Sequence, residues 1–327
     1  MVDDLHSPRH APRSSVGSLR VSPLCLGGNV FGWTADQSES FAVLDAFAAA
    51  GGTFVDTADS YSAWVAGNEG GESETIIGRW LSRRGRRRED AVIATKVGAH
   101  PDFRGLAPAT IKRAAEESLR RLNTDHIDLY YTHFDDESVP VEDIVTALDE
   151  LVRAGKVRET GASNLSAARL AASLDFSARE SKAAYVALQP RYNLVSRDSY
   201  EGALADVAAR HDLAVVPYPA LASGFLTGKY RPDTEVSSAR SGRAAELLAS
   251  EHGRRVLAAL DEVAGTRGVE PATVAVAWVA AQPTVVAPIA SARTPEQLPP
   301  LLAAADLTLT QAELDTLNAA SDPAQSA

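Results

Sequence analysis

Cysteine is almost absent from this chain of 327 residues, in which Cys25 is the only one. A lone cysteine cannot form an intrachain disulfide, and it leaves no cysteine cluster that could bind a metal. No apolar run approaches the ~18 residues of a transmembrane helix, and the polar N-terminus lacks the apolar centre of a secretory signal. We therefore expect a cytoplasmic protein in a reducing compartment, without a metal site.

Positive charge is also scarce, because 43 acidic residues outnumber 32 basic ones and give a net charge of −11. An acidic chain repels nucleic-acid phosphates and anionic membranes, so we expect neither partner. The basic run RRGRRR at 83–88 could form a basic patch. It also closes an amphipathic helix, whose C-terminal end favours cations, and we favour this second interpretation. A small molecule is the expected partner, and a homo-oligomer stays open.

Short apolar runs alternate with helical patterns along most of the chain. The runs are typical of buried parallel strands, and they are VSPLCLG, TFVD, AVIATK, HIDLYYTH, VRETGAS, AYVALQ, LAVVPY and TVVAPIA. The first helical pattern starts with Ser38 as its expected cap and ends at Gly51. Eight such units in ~300 residues predict an α/β fold, a single-domain (β/α)8 TIM barrel over 16–327 that follows a disordered tail at 1–15.

Three insertions interrupt this alternation. One is a glycine-rich loop at 61–71, and a longer loop at 219–250 follows the seventh strand. The third adds two extra helices at the C-terminus, and the second is expected to begin at Thr310 because Glu313 follows in capping-box spacing. Long loops on the C-terminal face of a barrel usually carry binding function.

Titratable residues stand at the ends of three predicted strands. They are Asp56 and Tyr61 in GGTFVDTADSY, Lys96 in AVIATK and His133 in IDLYYTH. If these strands belong to one barrel, their carboxyl ends meet on the face where such folds place their chemistry. An acid, a phenol, an amine and an imidazole that meet there can transfer protons.

These four residues suit the reduction of a carbonyl, which needs a hydride on carbon and a proton on oxygen. A free tyrosine has a pKa of ~10, and a neighbouring ammonium lowers it. We therefore expect Lys96 to lower the pKa of Tyr61, Asp56 to supply the counter-charge, and His133 to orient the carbonyl oxygen. Two alternatives remain: a purely structural ion pair between Asp56 and Lys96, or a barrel isomerase or aldolase that uses Lys96 as a Schiff-base amine.

Eight motifs in order resemble the aldo-keto reductases, in particular the bacterial branch related to potassium-channel β-subunit-like members. The motifs are FVDTADSY, GGESETIIGRWL, IATKVG, DLYYTHFDD, GKVRETGASNLS, LQPRYNLVSR, ALASGFLTGKY and APIASARTPEQL. The resemblance implies an NADPH-dependent reductase of aldehydes or ketones with Tyr61 as acid, Lys96 and Asp56 tuning it and His133 orienting the substrate. A nucleotide-binding, redox-sensing regulatory subunit with little turnover is the alternative.

No GxGxxG dinucleotide-binding fingerprint follows the first strand. The resemblance implies a different set of residues for binding the cofactor. The residues expected to contact the nicotinamide end are Gly28, Asn29, Ser163, Asn164, Gln189 and Tyr218. Those expected to contact the phosphates and the adenosine are Pro219, Ala220, Leu221, Ser223, Gly224, Lys229, Ile289, Ser291, Arg293 and Gln297. Ser291 and Arg293 open a helix, whose N-terminus favours a 2′-phosphate and hence NADPH. Members of the family usually have a Glu-Asn pair that contacts the adenine. Pro299, Pro300 and Leu301 occupy this region here, so NADH remains possible as the cofactor.

Four aromatic residues are candidates for the substrate pocket, namely Phe31, Trp33, Trp64 and Phe103. Together they would make an apolar mouth for the substrate. A small aldehyde, a keto sugar and a polyketide-type ketone all remain open as substrates.

Overall fold

The structure is a computed structural model that describes residues 14–83, 85, 87–231 and 241–323. Its strands in chain order are β1 (Ser14–Val16), β2 (Leu19–Val21), β3 (Cys25–Gly27), β4 (Phe54–Asp56), β5 (Val92–Val97), β6 (Ala99–His100), β7 (Phe103–Arg104), β8 (Ile127–Thr132), β9 (Val157–Ser163), β10 (Tyr185–Gln189), β11 (Ala214–Val215) and β12 (Ile289–Ala290). Strand β1 begins before the predicted domain start at residue 16, so that boundary is two residues late. Residues 1–13 of the predicted tail lie outside the described residues.

Eight of these strands form one parallel sheet in the order β11-β10-β9-β8-β5-β4-β3-β12. The segment that leads into β12 returns along β11, because the Val286 N–H donates to the Val215 carbonyl and the Ile289 N–H to that of Pro217. This pairing closes the sheet. The predicted (β/α)8 barrel is therefore confirmed.

Helices surround the barrel. They are α1 (Gln37–Ala49), α2 (Glu72–Leu81), α3 (Pro108–Leu122), α4 (Val141–Arg153), α5 (Ala167–Glu180), α6 (Ala203–Arg210), α7 (Ser241–Ala249), α8 (Glu251–Arg267), α9 (Pro271–Ala280), α10 (Leu298–Leu302) and α11 (Gln311–Ala320). Helix α1 is capped by Asp36 rather than by Ser38, because Asp36 and Glu39 exchange side-chain to backbone hydrogen bonds in a capping box. The capping box predicted for Thr310 and Glu313 is confirmed at α11.

Two apolar layers build the core. Inside the barrel, residues such as Cys25, Phe54 and Leu129 pack together, and the β1–β2 hairpin inserts Val16 and Leu19 into the same cluster. The hairpin therefore closes the end of the barrel opposite the carboxyl ends of the strands. Outside, a second cluster joins the sheet to the helices. Strands buried on both faces explain why the sequence shows continuous apolar runs rather than alternation.

The segment after β11 is long, as predicted, but it is not a loop throughout. Its last part is helix α7, and a 3-10 helix covers Ala222–Thr227. Residues 232–240 of this predicted loop lie outside the described residues. Among the residues that the structure describes, no helix has the length and apolar character to cross a bilayer.

The arginine run after α2 is engaged in ion pairs. Arg83 contacts Asp45, and Arg88 contacts Asp128 at 2.6 Å. Arg84 and Arg86 lie outside the described residues. Arg83 and Arg88 are therefore engaged in ion pairs within the protein.

Candidate active site

Three neighbouring strands bring the predicted catalytic residues together. Strand β4 ends at Asp56 and β5 carries Lys96 one residue before its end. The Lys96 Nζ atom lies 2.6 Å from Asp56 Oδ2, 2.7 Å from the Thr57 carbonyl and 2.9 Å from Tyr61 Oη. An ammonium has three N–H donors, so each donor of Lys96 has an acceptor. The Tyr61 oxygen accepts one of these bonds, and its own O–H makes a long 3.4 Å hydrogen bond to Asp56 Oδ2.

Tyr61 keeps its proton more firmly than the sequence suggested. Burial raises the pKa of Tyr61 well above its usual value of 10, and the carboxylate of Asp56 raises it further. The net shift is therefore opposite to the lowering that we expected from Lys96, because burial is the largest effect on this phenol and the Asp56 carboxylate adds to it. Tyr61 is therefore protonated at physiological pH.

His133 follows β8, and its ring faces Tyr61. The two ring centroids are 6.0 Å apart. Burial lowers the pKa of His133 well below 6.5, and the charge of Lys96 adds to this effect, so the ring is neutral. Its Nδ1 atom is buried without a hydrogen-bond partner among the described residues. An N–H buried without an acceptor is costly, so we assign the proton to Nε2, from which it can be donated to a carbonyl oxygen.

The polar residues at the ends of β9 and β10 are bonded within the protein. Gln189 Nε2 donates to Asp56 Oδ1 at 2.8 Å, and Ser163 Oγ donates to the Gln189 carbonyl. Asn164 Nδ2 donates to the His133 carbonyl, and its Oδ1 accepts from the Tyr218 hydroxyl at 2.7 Å. The predicted nicotinamide contacts therefore converge on the catalytic residues, and in this structure they hold one another in place.

A cavity of about 520 Å³ opens at Asp56 and Tyr61 and passes Tyr218. Its wall includes further residues predicted to bind the cofactor, namely Asn29, Pro219, Leu221, Ser223, Gly224, Lys229, Ile289, Ser291, Arg293 and Gln297. Pro300 and Leu301, which the sequence analysis assigned to the adenine region, also line the cavity. Sequence reasoning missed other lining residues, including Gly27, Val30, Thr34, Thr227, Glu270, Ala272, Ala290 and Glu296. Thr227 lies in the glycine-rich segment already singled out, whereas Glu270 and Ala272 carry no motif.

Five predicted cofactor residues are not among those that line this cavity, namely Ser163, Asn164 and Gln189, whose bonds are described above, and Gly28 and Ala220. Gly28 is packed behind it, where an added Cβ would lie 2.9 Å from Ser73 Oγ. Gly27 takes its place, since a Cβ there would lie 2.6 Å from Ser291 Oγ on the cavity wall. Ala220 is fully buried. The local chain direction decides which neighbours face the cavity, and here these are Gly27 beside Gly28, and Pro219 and Leu221 beside Ala220.

Comparison with known proteins decides the identity of this fold and site. The sequence profile described as the Aldo/keto reductase family matches residues 23–322. The chain belongs to this family. It is 36% identical to the uncharacterized oxidoreductase YrpG of Bacillus subtilis over 92% of each chain. It is 31% identical to norsolorinic acid reductase B of Aspergillus parasiticus, over 94% of this chain and 83% of that one. An aryl-alcohol dehydrogenase [NADP(+)] of Phanerodontia chrysosporium is 29% identical over 95% and 85%.

Aldo/keto reductases use nicotinamide cofactors, and the chemistry of the cavity wall fits such a molecule. Among the described residues, its cationic lining groups are Lys229 and Arg293, which suit phosphates. The backbone is left-handed at Ala222, Ser223 and Gly224 in succession. Such strain persists only where the surroundings impose it, and it concentrates at ligand sites.

The aromatic residues of this aldo/keto reductase divide into two groups. Trp33 lines the cavity and meets Trp64 edge-on, with ring centroids 5.5 Å apart. Phe31 is fully buried, and Phe103 packs between His100 and Arg113, so neither forms part of the mouth and both predictions are wrong.

Phe134 was missed as an aromatic residue of the mouth. It is half-exposed and stacks on the ring of His133 at 4.6 Å. Its position directly after His133 in the sequence was the available signal.

Proposed function

We propose that this oxidoreductase uses NADPH to reduce an aldehyde or ketone to an alcohol, with Tyr61 as the proton donor. The observation that carries the proposal is the use of all three Lys96 N–H groups on Asp56, Thr57 and Tyr61. This arrangement fixes the phenol oxygen as an acceptor toward the lysine. The phenol proton makes only a long 3.4 Å hydrogen bond to Asp56 Oδ2, and a substrate oxygen in the cavity that Tyr61 lines would accept this proton in place of the carboxylate.

Each residue has a distinct part in the proposed reaction. The carbonyl oxygen accepts hydrogen bonds from Tyr61 Oη and from Nε2 of neutral His133, and the carbon becomes more electrophilic as a result. A reduced nicotinamide cofactor, when bound, supplies the hydride that the carbonyl carbon gains. The oxygen then takes the Tyr61 proton, and Lys96 stabilises the phenolate until it regains a proton from solvent. Asp56 supplies the counter-charge of Lys96, whose side chain is 1% exposed.

The preference for NADPH rests on the far part of the cavity. Ser291 and Arg293 follow β12, and the Arg293 N–H donates to Gln297 Oε1 at 2.9 Å. This bond holds the turn from which the Arg293 guanidinium can reach a 2′-phosphate. Pro300 and Leu301 give the neighbouring wall an apolar character, which suits the face of an adenine ring. The NADP(+) in the name of one relative agrees with this assignment.

The direct test is NADPH oxidation followed at 340 nm with a panel of aldehydes and ketones, with NADH in parallel. The proposal requires turnover of at least one carbonyl and a higher kcat/KM with NADPH. Tight NADPH binding without turnover on any carbonyl would favour the regulatory alternative. Trapping of a substrate on Lys96 by borohydride would instead favour Schiff-base chemistry. Cytoplasmic location and self-association stay predictions from the sequence.

A further inference from the structure

The first turn of α2 is polar, and yet it is buried against the ends of the barrel strands. Ser73 and Glu74 are both fully buried. Burial of a hydroxyl or a carboxylate costs free energy unless hydrogen bonds compensate it. The hydrogen-bond partners of these two residues therefore indicate what the polar groups do, and both sets of partners lead to Lys96.

Ser73 connects the ends of β3 and β4. The Thr57 hydroxyl donates to Ser73 Oγ at 2.8 Å, and Ser73 Oγ donates to the Gly28 carbonyl at 2.8 Å. Thr57 follows β4 directly, and its carbonyl accepts a hydrogen bond from Lys96 Nζ at 2.7 Å. The Ser73 hydroxyl therefore holds the residue that supplies one of the three acceptors of the lysine.

Glu74 holds the strand that carries the lysine itself. The hydroxyl of Thr95, the residue before Lys96 on β5, donates to Glu74 Oε1 at 2.5 Å. The other carboxylate oxygen lies 2.6 Å from Nε of Arg121 on α3. Arg121 in turn packs closely against Gly71, where an added Cβ would collide with the guanidinium group. Glu74 is thus held by α3 on one side and bonded to β5 on the other.

We propose that Ser73 and Glu74 are positioning residues that fix Lys96 relative to Tyr61 for the carbonyl reduction. The inference rests on the proposed function and extends its machinery to two residues that are not among those lining the cavity. Lys96 has one N–H group for each of its three acceptors, so a shift of Thr57 or of β5 weakens at least one of these bonds. The bond to Tyr61 is the one that stabilises the phenolate as it forms.

Ser73→Ala and Glu74→Gln test the two connections. Ser73→Ala removes the hydroxyl that bonds Thr57, and Glu74→Gln leaves one acceptor oxygen where two are needed. We expect each variant to lower kcat at saturating NADPH by about 10- to 100-fold, because a misplacement of about 1 Å can cost ~100-fold. Fluorescence titration with NADPH counts the folded sites, and kcat is expressed per site, so a smaller folded fraction does not imitate this loss.

Two similarly buried polar groups outside this network are the controls. Ser177 on α5 is 2% exposed, and its hydroxyl donates to the Ser173 carbonyl. Asp128, near the start of β8, is 1% exposed and is paired with two arginines. Ser177→Ala and Asp128→Asn should also lower the stability of the fold, because each removes a buried hydrogen bond or ion pair. Each should retain the wild-type kcat per site.

A double-mutant cycle shows whether the two residues act through the lysine. Lys96→Met removes the ammonium group, so its position no longer matters in that background. There, Ser73→Ala and Glu74→Gln should change kcat by less than about 2-fold, whereas a general distortion of the fold would add its full loss.

A conservative pair at Thr57 tests the same connection without a change at Ser73. Thr57→Ser keeps the hydroxyl that donates to Ser73, and Thr57→Val removes it with little change of shape. Thr57→Ser should therefore retain more of the wild-type kcat than Thr57→Val. This pair decides the question where Ser73→Ala does not fold.

Three results would overturn the positioning role and leave the proposed function intact. They are a wild-type kcat per site in Ser73→Ala and Glu74→Gln, an undiminished loss in the Lys96→Met background, and equal activity of Thr57→Ser and Thr57→Val. Failure of the wild type to oxidise NADPH with any carbonyl would overturn both proposals.

Discussion

Gln189 donates a hydrogen bond to the same carboxylate that is paired with Lys96. Its Nε2 atom donates to Asp56 Oδ1 at 2.8 Å, while Oδ2 of the same carboxylate lies 2.6 Å from Lys96 Nζ. Gln189 is 2% exposed, so water does not replace this bond easily. The amide therefore holds the Asp56 carboxylate in the position from which it contacts Lys96.

Loss of this amide should destabilise the fold. Gln189→Leu leaves one oxygen of a buried carboxylate without its donor, and a hydrogen bond to a charged group contributes about 1.5–3 kcal/mol. We expect a decrease of that size in the free energy of unfolding, measured in urea. The matched control is Gln37→Leu, which removes an exposed hydrogen bond to Arg79 and should change stability by less than about 0.5 kcal/mol. Equal effects of the two substitutions would contradict this role of Gln189.

The distance between these residues along the chain explains what the sequence could predict. Asp56, Lys96 and His133 were found because each stands at the end of a short apolar run, and parallel strands bring such ends together. The bond between Gln189 and Asp56 spans 133 positions and depends on the register of strands in the closed barrel. No local sequence pattern encodes that register. The bond from Gln189 to Asp56 was therefore not predicted, and the Gln189 amide was expected to contact the cofactor.

Other differences also depend on the packing of the whole fold. Phe31 and Phe134 are both phenylalanines in loops, and only the packing of the fold decides that the first is buried and the second exposed. The pKa of Tyr61 is raised by its burial and by the carboxylate of Asp56. The sequence identifies these residues, but it shows neither how deeply each side chain is buried nor how the neighbouring charges act on it.

The phosphate-binding part of the cavity gives a prediction about cofactor choice. Arg293→Ala should weaken NADPH binding by roughly 10- to 150-fold, since a charge-assisted contact is worth about 1.5–3 kcal/mol. NADH binding should change little, because NADH lacks the 2′-phosphate. Fluorescence titration with both cofactors measures the two effects. Arg79→Ala, on the surface of α2, is the control and should alter neither affinity, whereas equal losses for both cofactors in Arg293→Ala would refute the assignment.

Asp59 gives a prediction about stability and pH. It is fully buried beside the catalytic loop, and neither carboxyl oxygen has a hydrogen-bond partner among the described residues. Burial raises the pKa of Asp59 well above 3.8, and Glu74 raises it further against the opposing charge of Arg121. A raised folded-state pKa means that the unfolded chain loses this proton first, so stability falls as pH rises above the unfolded value. Asp59→Asn removes that penalty.

We therefore expect Asp59→Asn to raise the melting temperature at pH 7 and to lose this advantage near pH 4. Asp149→Asn is the control, and we expect it to change the stability at pH 7 in the opposite direction. Burial alone would raise the pKa of Asp149, but hydrogen bonds from the Ala183 N–H, Lys182 and Arg153 outweigh it and lower the pKa. That substitution should cost stability at pH 7 and little at low pH. A pH-independent effect at Asp59 would show that its carboxyl group is ionised in the folded protein.

Replacement of Tyr61 by phenylalanine is the most direct test of the proposed chemistry. It removes one oxygen atom and leaves the ring contacts of the mouth in place. We expect Tyr61→Phe to bind NADPH as the wild type does and to lose about 10²- to 10⁴-fold in kcat on the best carbonyl substrate, the usual cost of losing a general acid. Tyr200→Phe, which removes a hydroxyl bonded to Thr284 outside the cavity, should retain full activity. Carbonyl reduction by Tyr61→Phe within a few-fold of wild type would contradict the assignment of Tyr61 as the proton donor.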